Sequence, residues 1–312
     1  MKVLFISSGT NGKISPIVKS QGDSLKKQQV EVDYFLICEP GLNGYFKYIF
    51  RLRKYIKQND YDILHAHYSL SGFVATLSSA NRAVVSLMGD DALTSRSLFL
   101  TKLLANYIWG KTIVKSEEMR QRLNTSNVEI VPNGVDLKKF KPMGKIPCQK
   151  KLGFSKDKLH LLFAANPRRK IKNFKLFKDA FEILKDKGHD IEMHYFDNIS
   201  HKDVPIYMNA ADLVCLSSLS EGSPNVIKEA MACNRPIVST DVGDVKWLFD
   251  EIDGCYVSSN NVKDYSSYLK KALKYSAVSE HTYGRERLIE LGLDSDSVAK
   301  KLVEIYRNVL MV

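Results

Sequence analysis

The sequence has no run of about eighteen uncharged apolar residues, so it offers no transmembrane helix. Its start, Met1-Lys-Val-Leu-Phe-Ile-Ser7, lacks the long apolar stretch and small-residue cleavage site of a secretory signal. Cysteine is scarce. The five present (Cys38, Cys148, Cys215, Cys233 and Cys255) are odd in number, far apart and form no CxxC pair. That pattern excludes a disulfide framework, argues against a zinc site and predicts free thiols in a reducing cytoplasm. No short-period repeat or low-complexity tract appears. Nor does any RNP, zinc-finger or helix-turn-helix pattern, and the basic residues are dispersed, so a nucleic-acid partner is not expected.

What is present points elsewhere. At 312 residues and 44% hydrophobic content, the chain is long for a single core, and two domains are expected. Lys and Arg total 46 against 35 Asp and Glu, a formal charge of +11. Such an excess attracts anions, whether phosphorylated substrates or acidic lipid.

Short apolar runs rich in strand formers alternate with helical stretches. Strands are predicted at 2–7, 30–37, 63–67, 83–88, 112–114 and 128–131, with helices at 15–28 and 45–58. A Lys-, Pro- and Gly-rich stretch, 138–147, reads as an interdomain linker. Beyond it the alternation restarts. Strands are predicted at 159–164, 191–196, 213–216, 236–239 and 254–257, and helices at 174–187, 225–233, 265–275 and 297–309. Strand–helix alternation implies parallel βαβ units and doubly wound sheets. Ligands of such sheets bind at the C-terminal strand ends, so a substrate is expected in a cleft between two facing domains.

The segment Ser217-Ser-Leu-Ser-Glu-Gly-Ser-Pro-Asn-Val-Ile-Lys-Glu229 carries the chemistry. A strand ends near Leu216 and Glu221-Gly222 makes a turn. Ser223 suits an N-cap and Pro224 the first helical position. The free amides near Asn225 and Val226 then form an anion site of the kind that takes a pyrophosphate. Glu221 precedes the helix and Glu229 lies a little over one turn inside it. A carboxylate accepts paired hydrogen bonds from vicinal hydroxyls, which ribose and hexoses both offer. The plain alternative is a solvated turn and a surface helix. Agreement of turn, cap, proline and apolar flanks favours the site.

The block Glu221-x7-Glu229 followed by Ala-Met-Ala, then Pro236-Ile-Val-Ser-Thr-Asp-Val-Gly243, resembles the donor-site signature of the family-four retaining glycosyltransferases, group 1, of GT-B fold. Pro132-Asn-Gly-Val-Asp136 with Phe140 and Pro142 is similar to that family's segment at the domain junction. Gly89-Asp-Asp91 resembles its Gly-x-Asp element, and Asp62-Ile-Leu-His-Ala-His67 its histidine element. The matches fall in the family's order along essentially the whole chain.

The resemblance implies an α/β fold of two facing Rossmann-like domains. An acceptor-binding domain spans 1–143, a nucleotide-sugar domain spans 144–296, and a helix at 297–312 packs back on the first. It implies a hexosyltransferase acting from a UDP- or GDP-linked sugar on a glycan or lipid-linked acceptor, in the service of cell-surface polysaccharide synthesis. Glu229 is assigned the ribose hydroxyls, and Glu221 those of the transferred sugar, through a turn that also presents the Gly222 and Ser223 amides.

Other candidates are read beside their plainer alternatives. Arg168, Arg169, Lys170 and Lys172 follow the 159–164 strand, where cations can neutralise a departing diphosphate. The family's Gly-Arg is replaced by Ala165-Asn166-Pro167, so Arg169 and Lys172 are assigned with Arg168 as alternate. His67 ends a strand and either faces the reaction centre or is structural. His65 reads as packing. Gly9 and Gly12 either approach a phosphate or make a simple turn. Asp91 contacts the acceptor or caps a helix. Asp294-Ser-Asp296 reads as capping rather than as a metal site, and no metal or cofactor is expected. Trp247, and Asp244 after Gly243, depart from the family pattern and put the nucleotide pocket's details in doubt. Asn234 replaces the usual helix-ending glycine, which it can do in the left-handed conformation.

The stretch 45–57 mixes aromatics with basic residues and no acid. Phe46, Ile49, Phe50 and Ile56 can share an apolar stripe, which predicts either ordinary packing or docking of a peripheral cytoplasmic protein on an anionic membrane. Two rival classes stay open: a sugar-nucleotide epimerase of the same fold, and a non-catalytic sugar-nucleotide binder.

Overall fold

The computed structural model describes residues 1–9, 12–39, 41–79, 83–89, 98–279 and 281–311. Asp91 and its predicted helix lie outside them. The chain forms two compact units. The first is Met1–Gly134 with Ser295–Val312, and the second is Val135–Asp294. The boundary at Gly134 falls ahead of the 138–147 stretch. That stretch lies inside the second unit, where Phe140 joins the core.

The first unit runs β1 (Lys2–Ser8), α1 (Pro16–Lys27), β2 (Glu31–Ile37), α2 (Gly41–Gln58), β3 (Ile63–His67), α3 (Ser69–Ser78), β4 (Val84–Ser86), α4 (Leu98–Tyr107), β5 (Lys111–Val114), α5 (Glu117–Leu123) and β6 (Val128–Ile130). Its strands pair in parallel in the order β2-β1-β3-β4-β5-β6. The apolar run of β1 has no polar face because both faces are covered. Leu4 and Ile6 join Leu52, Val74, Trp109 and Met119 on one side. Val3 and Phe5 join Val18 and Leu25 on the other. Helix α1 starts where Ser15 Oγ accepts from the Val18 amide at 3.3 Å, with Pro16 in the first turn.

The second unit follows with α6 (Lys145–Leu152), β7 (Leu159–Phe163), α7 (Phe174–Asp186), β8 (Ile191–Tyr195), α8 (Val204–Ala210), β9 (Leu213–Leu216), α9 (Asn225–Ala232), β10 (Ile237–Thr240), α10 (Val245–Phe249), β11 (Cys255–Ser258), α11 (Val262–Val278) and α12 (Gly284–Glu290). The sheet order is β11-β10-β9-β7-β8, again parallel. Alternation splits the strands between two cores. Leu162, Val214 and Ile237 meet Met208, Ile227 and Leu248. Leu161, Leu213 and Val238 meet Phe177, Tyr265 and Leu269.

The last helix, α13 (Ser295–Leu310), belongs to the first unit. Val298, Leu302 and Tyr306 pack with Val3, Phe5 and Ile63. Buried His65 bonds Tyr306 Oη through Nδ1 at 2.6 Å and Ser86 Oγ through Nε2 at 2.8 Å. Asp294 immediately precedes this helix and Asp296 lies in its first turn, 3.6 Å from Lys27.

Candidate active site

In the second sheet, β7 pairs with β8 on one side and β9 on the other. The chain therefore leaves β7 in one direction and returns on the opposite flank. The loops after β7 and β9 part at this switch point, where doubly wound sheets bind ligands. After β7 the chain makes a 3-10 turn at Lys170–Lys172, and Asn173 (φ +48°) redirects it into α7. The β9 loop is fastened to that turn. The Leu219 amide donates to Ile171 O at 2.9 Å, and Ser217 Oγ donates to Lys172 O at 3.1 Å and Asn173 O at 2.9 Å. From β10, Thr240 Oγ1 donates to Ser218 O at 2.7 Å.

These ties bring Lys172 and Glu221 together. The Lys172 amine donates to Glu221 Oε1, and Ser218 Oγ donates to the same oxygen at 2.7 Å. The two charged side chains keep only 12% and 17% of their exposure. Gly243 backs the turn. Its φ is +57°, and a Cβ there would stand 2.4 Å from the Gly222 carbonyl oxygen. Glycine alone lets the β10 loop approach so closely.

Helix α9 starts at Asn225, as expected, but its cap lies one residue later than the sequence suggested. Pro224 is its N-cap, with no side-chain cap bond, and Asn225 is the first helical residue. Ser223 does not cap because its hydroxyl accepts from Lys228 Nζ at 2.8 Å. Lys228 is 1% exposed. Burial pushes its amine down to about 8, against the pull of the Asp244 and Glu229 carboxylates. Burial in turn raises the Asp244 carboxyl, opposed by Lys228 and Ser223. The first amides of α9, at Asn225 and Val226, have no acceptor within a helix that starts there.

On the same helix Glu229 meets residues that sequence reasoning missed. His201 Nε2 lies 3.1 Å from Glu229 Oε1, and His201 Nδ1 lies 2.6 Å from Lys139 Nζ. Phe140 packs edge-on to His201 at 5.7 Å, and Lys139 sits 4.9 Å over the Phe140 ring. Burial lowers the Lys139 amine, while Glu229 and Asp136 raise it. The only sequence signal for Lys139 was its place just after Pro132-Asn-Gly-Val-Asp136. His201 had none.

Arg168 does not join the Lys172–Glu221 pair, since its guanidinium donates to Asp197 at 2.7 Å. Arg169 precedes the 3-10 turn and is exposed. Asn234 ends α9 with φ +52° and accepts from the Arg285 amide at 2.8 Å. In the first unit, Gly9 and His67 follow or end β1 and β3, neighbours at that sheet's own switch point. The Gly9 amide donates to Ile37 O at 2.9 Å, and Gly12 takes φ +70° in open space. His67 is 1% exposed and packs against Phe5 and His65. Burial, with Lys115 nearby, lowers it to about 3, so its imidazole is neutral. Among the described residues, no helix is long and apolar enough to cross a membrane.

Two family models match the chain: Glycosyltransferase Family 4 over residues 14–139, and Glycosyl transferases group 1 over residues 189–275. The chain belongs to the group 1, family 4 glycosyltransferases. It is 28% identical over 231 residues to a putative teichuronic acid biosynthesis glycosyltransferase, TuaC, of Bacillus subtilis, covering 63% of this chain and 58% of the relative. It is 25% identical over 270 residues to an Escherichia coli UDP-Gal:alpha-D-GlcNAc-diphosphoundecaprenol alpha-1,3-galactosyltransferase, covering 72% of this chain and 69% of the relative. The chain spans 58%, 64% and 51% of the length of the first curated relatives it matches. Sucrose-phosphate synthase from Thermosynechococcus elongatus has the same fold, with TM-score 0.80, 17% identity and 99% of each chain covered. The GT-B fold of this chain is thereby established. So is its pair of parallel-sheet units.

Proposed function

We propose that the chain is a retaining glycosyltransferase that moves a hexose-type sugar from a UDP- or GDP-linked donor to a hydroxyl of a glycan or lipid-linked acceptor, in cell-surface polysaccharide synthesis. The observation that carries this reading is the Lys172–Glu221 pair at the switch point, beside the start of α9. The amides of Gly222, Ser223, Asn225 and Val226 and the Pro224 turn hold the donor's diphosphate, as helix starts hold anions. Glu229 accepts the ribose hydroxyls, and its link to His201 fixes its direction. Glu221 accepts hydroxyls of the transferred sugar.

When the sugar–phosphate bond breaks, Lys172 and Arg169 neutralise the leaving oxygen, with Arg168 as the alternate cation. The acceptor oxygen bonds the anomeric carbon from the face that the diphosphate leaves, and its proton passes to the departing phosphate oxygen. Cations and amides supply the charge stabilisation, so no metal or other cofactor is needed for transfer. Gly9 and Gly12 let the backbone approach a donor or acceptor phosphate, and Asp91 contacts the acceptor. His67, buried and neutral, contributes at most as an uncharged hydrogen-bonding group.

A peripheral cytoplasmic setting fits the same reading. In α2, Ile49 and Ile56 pack on the core, whereas Phe46 and Phe50 are 61% and 72% exposed beside Lys47, Arg51 and Lys54. That face suits anionic headgroups at the inner face of a membrane. Two relatives' names, for teichuronic acid synthesis and for a diphosphoundecaprenol acceptor, support a surface-polysaccharide role.

Thermal-shift screening against UDP- and GDP-sugars, followed by anomeric analysis of the product by NMR, tests the reading. A stabilising nucleotide sugar and a product with the donor's anomeric configuration are expected. Binding of none would refute the donor site, and an inverted product would refute retention.

A further inference from the structure

The sequence shows no clustered metal ligands, yet strand pairing assembles a set. His160 on β7 is in register with Glu192 on β8, and His194 follows two residues later on the same strand. Residues paired in register, and residues two apart on one strand, point to the same sheet face. His160 Nδ1 lies 2.9 Å from His194 Nε2 and 4.0 Å from Glu192 Oε2. The three ligand atoms all lie within 4.8 Å of one another.

The surroundings suit a metal in two ways. His160 Nε2 lies 2.7 Å from the Ser155 carbonyl, an acceptor that fixes the proton on Nε2 and leaves the Nδ1 lone pair aimed at the cluster. Phe154 stacks on the His194 ring at 3.6 Å and holds its orientation.

We propose that His160 Nδ1, His194 Nε2 and Glu192 form a site for a divalent first-row transition metal, with zinc the ion that suits two imidazoles and a carboxylate. Zinc–nitrogen bonds of about 2.0–2.1 Å at tetrahedral angles put ligand atoms roughly 3.3–3.4 Å apart. The imidazole pair opens by about 0.4 Å, and the carboxylate closes by about 0.6 Å on His160 and by at most roughly 1.4 Å on His194, shifts within the reach of a glutamate side chain. His194 moves its proton from Nε2 to Nδ1, so no proton is released. Three protein ligands leave the fourth position to water. The three ligands lie within β7 and β8, His160 and Glu192 second in their strands and His194 fourth, whereas Lys172 and Glu221 sit in loops beyond C-terminal strand ends. Its role is to clamp β7 to β8 rather than to act on the sugar.

Equilibrium dialysis of the chelator-stripped full chain against zinc, with bound metal counted by mass spectrometry, tests the site. Wild type and Cys38→Ser, which removes the exposed thiol, should each bind about one zinc per chain, and zinc should raise the melting midpoint. Glu192→Gln and His194→Gln should weaken binding at least about tenfold, as loss of a ligand does. Glu192 is half-exposed, so its variant keeps the test independent of folding defects in the His194 variant. No uptake at micromolar zinc would overturn the proposal. So would uptake that Glu192→Gln leaves unchanged, or uptake lost in Cys38→Ser alone.

Discussion

Replacing Gly243 by alanine separates backbone strain from steric contact at the donor turn. Gly243 has φ +57°, and its added Cβ would lie 2.4 Å from Gly222 O, 2.9 Å from Gly222 C and 3.0 Å from Glu221 O. All three are backbone atoms, so no rotamer change relieves them. The left-handed conformation costs an L-residue about 1–2 kcal/mol. Roughly 0.4–1 kcal/mol returns because alanine lowers the entropy of the unfolded chain. Overpacking against backbone adds about 1–3 kcal/mol. Gly243→Ala should therefore lose about 2–4 kcal/mol in denaturant unfolding. Gly153 provides the control. It has φ +69°, and a methyl group added there would meet nothing within 4 Å, so Gly153→Ala should lose about 1 kcal/mol or less. Function should divide the two further. Relief at Gly243 requires the Glu221–Gly222 turn to retreat by roughly 0.5–1 Å, a misplacement that costs up to about a hundredfold. Titration calorimetry with the stabilising nucleotide sugar should show binding weakened about ten- to a hundredfold in Gly243→Ala and unchanged in Gly153→Ala. Equal stability and equal donor affinity in the two variants would refute the role given to that turn.

Three further outcomes follow from the same structure. Lys172→Met removes the cation beside Glu221 and should lower kcat by about 10²–10³ in steady-state assays, with a smaller effect on the melting midpoint; an unchanged kcat would remove Lys172 from the chemistry. His67 is held at about 3 in the folded chain against an ordinary 6.5, so stability falls as pH drops from about 6.5 toward about 3, by roughly 1.4 kcal/mol per pH unit. At about pH 5 the unfolded imidazole is charged and the folded one is not, so His67→Phe should take up about one proton fewer on unfolding, measured potentiometrically; equal uptake would contradict the burial. Phe50→Glu should reduce sedimentation with anionic vesicles while leaving donor binding intact, and equal sedimentation would exclude α2 as the docking face.

Much of the fold was legible because parallel strands covered on both faces read as apolar runs. Each described strand overlaps a predicted one, from Lys2–Ser8 to Cys255–Ser258, although the edge strands β2, β6 and β8 also carry polar residues. Several helices were not seen. Helix α3, Ser-Leu-Ser-Gly-Phe-Val-Ala-Thr-Leu-Ser, has little polar face, and Gly72 lets it settle against Val85 and Trp109. Helices as short as α8 and α10 show too few turns for a period to emerge. In the site, Glu221 and Glu229 stood out because turn, proline and helix signals lie side by side. Ser223 was misplaced as the cap because its true partner, Lys228, reads as an ordinary solvated helix lysine. The contact of His201 with Glu229 spans 28 residues and that of Lys139 with His201 spans 62. Tertiary packing makes such contacts, and no local pattern announces them. The same holds for His160 and His194, whose partnership is a matter of strand register.

The return of α13 to the first unit reverses the usual order of assembly on the ribosome. Val135–Asp294 is one continuous stretch and can close its sheet as soon as it emerges. The unit made first must wait, because Val298, Leu302 and Tyr306 complete a core begun at Val3 and Phe5. Until this sixteen-residue helix is translated, α1 covers that face of β1 and β3 only in part, and the rest is open apolar surface. A nascent chain therefore carries its earliest-made half in an unfinished state the longest. A nonsense mutation near position 295 would spare the second unit and strand the first.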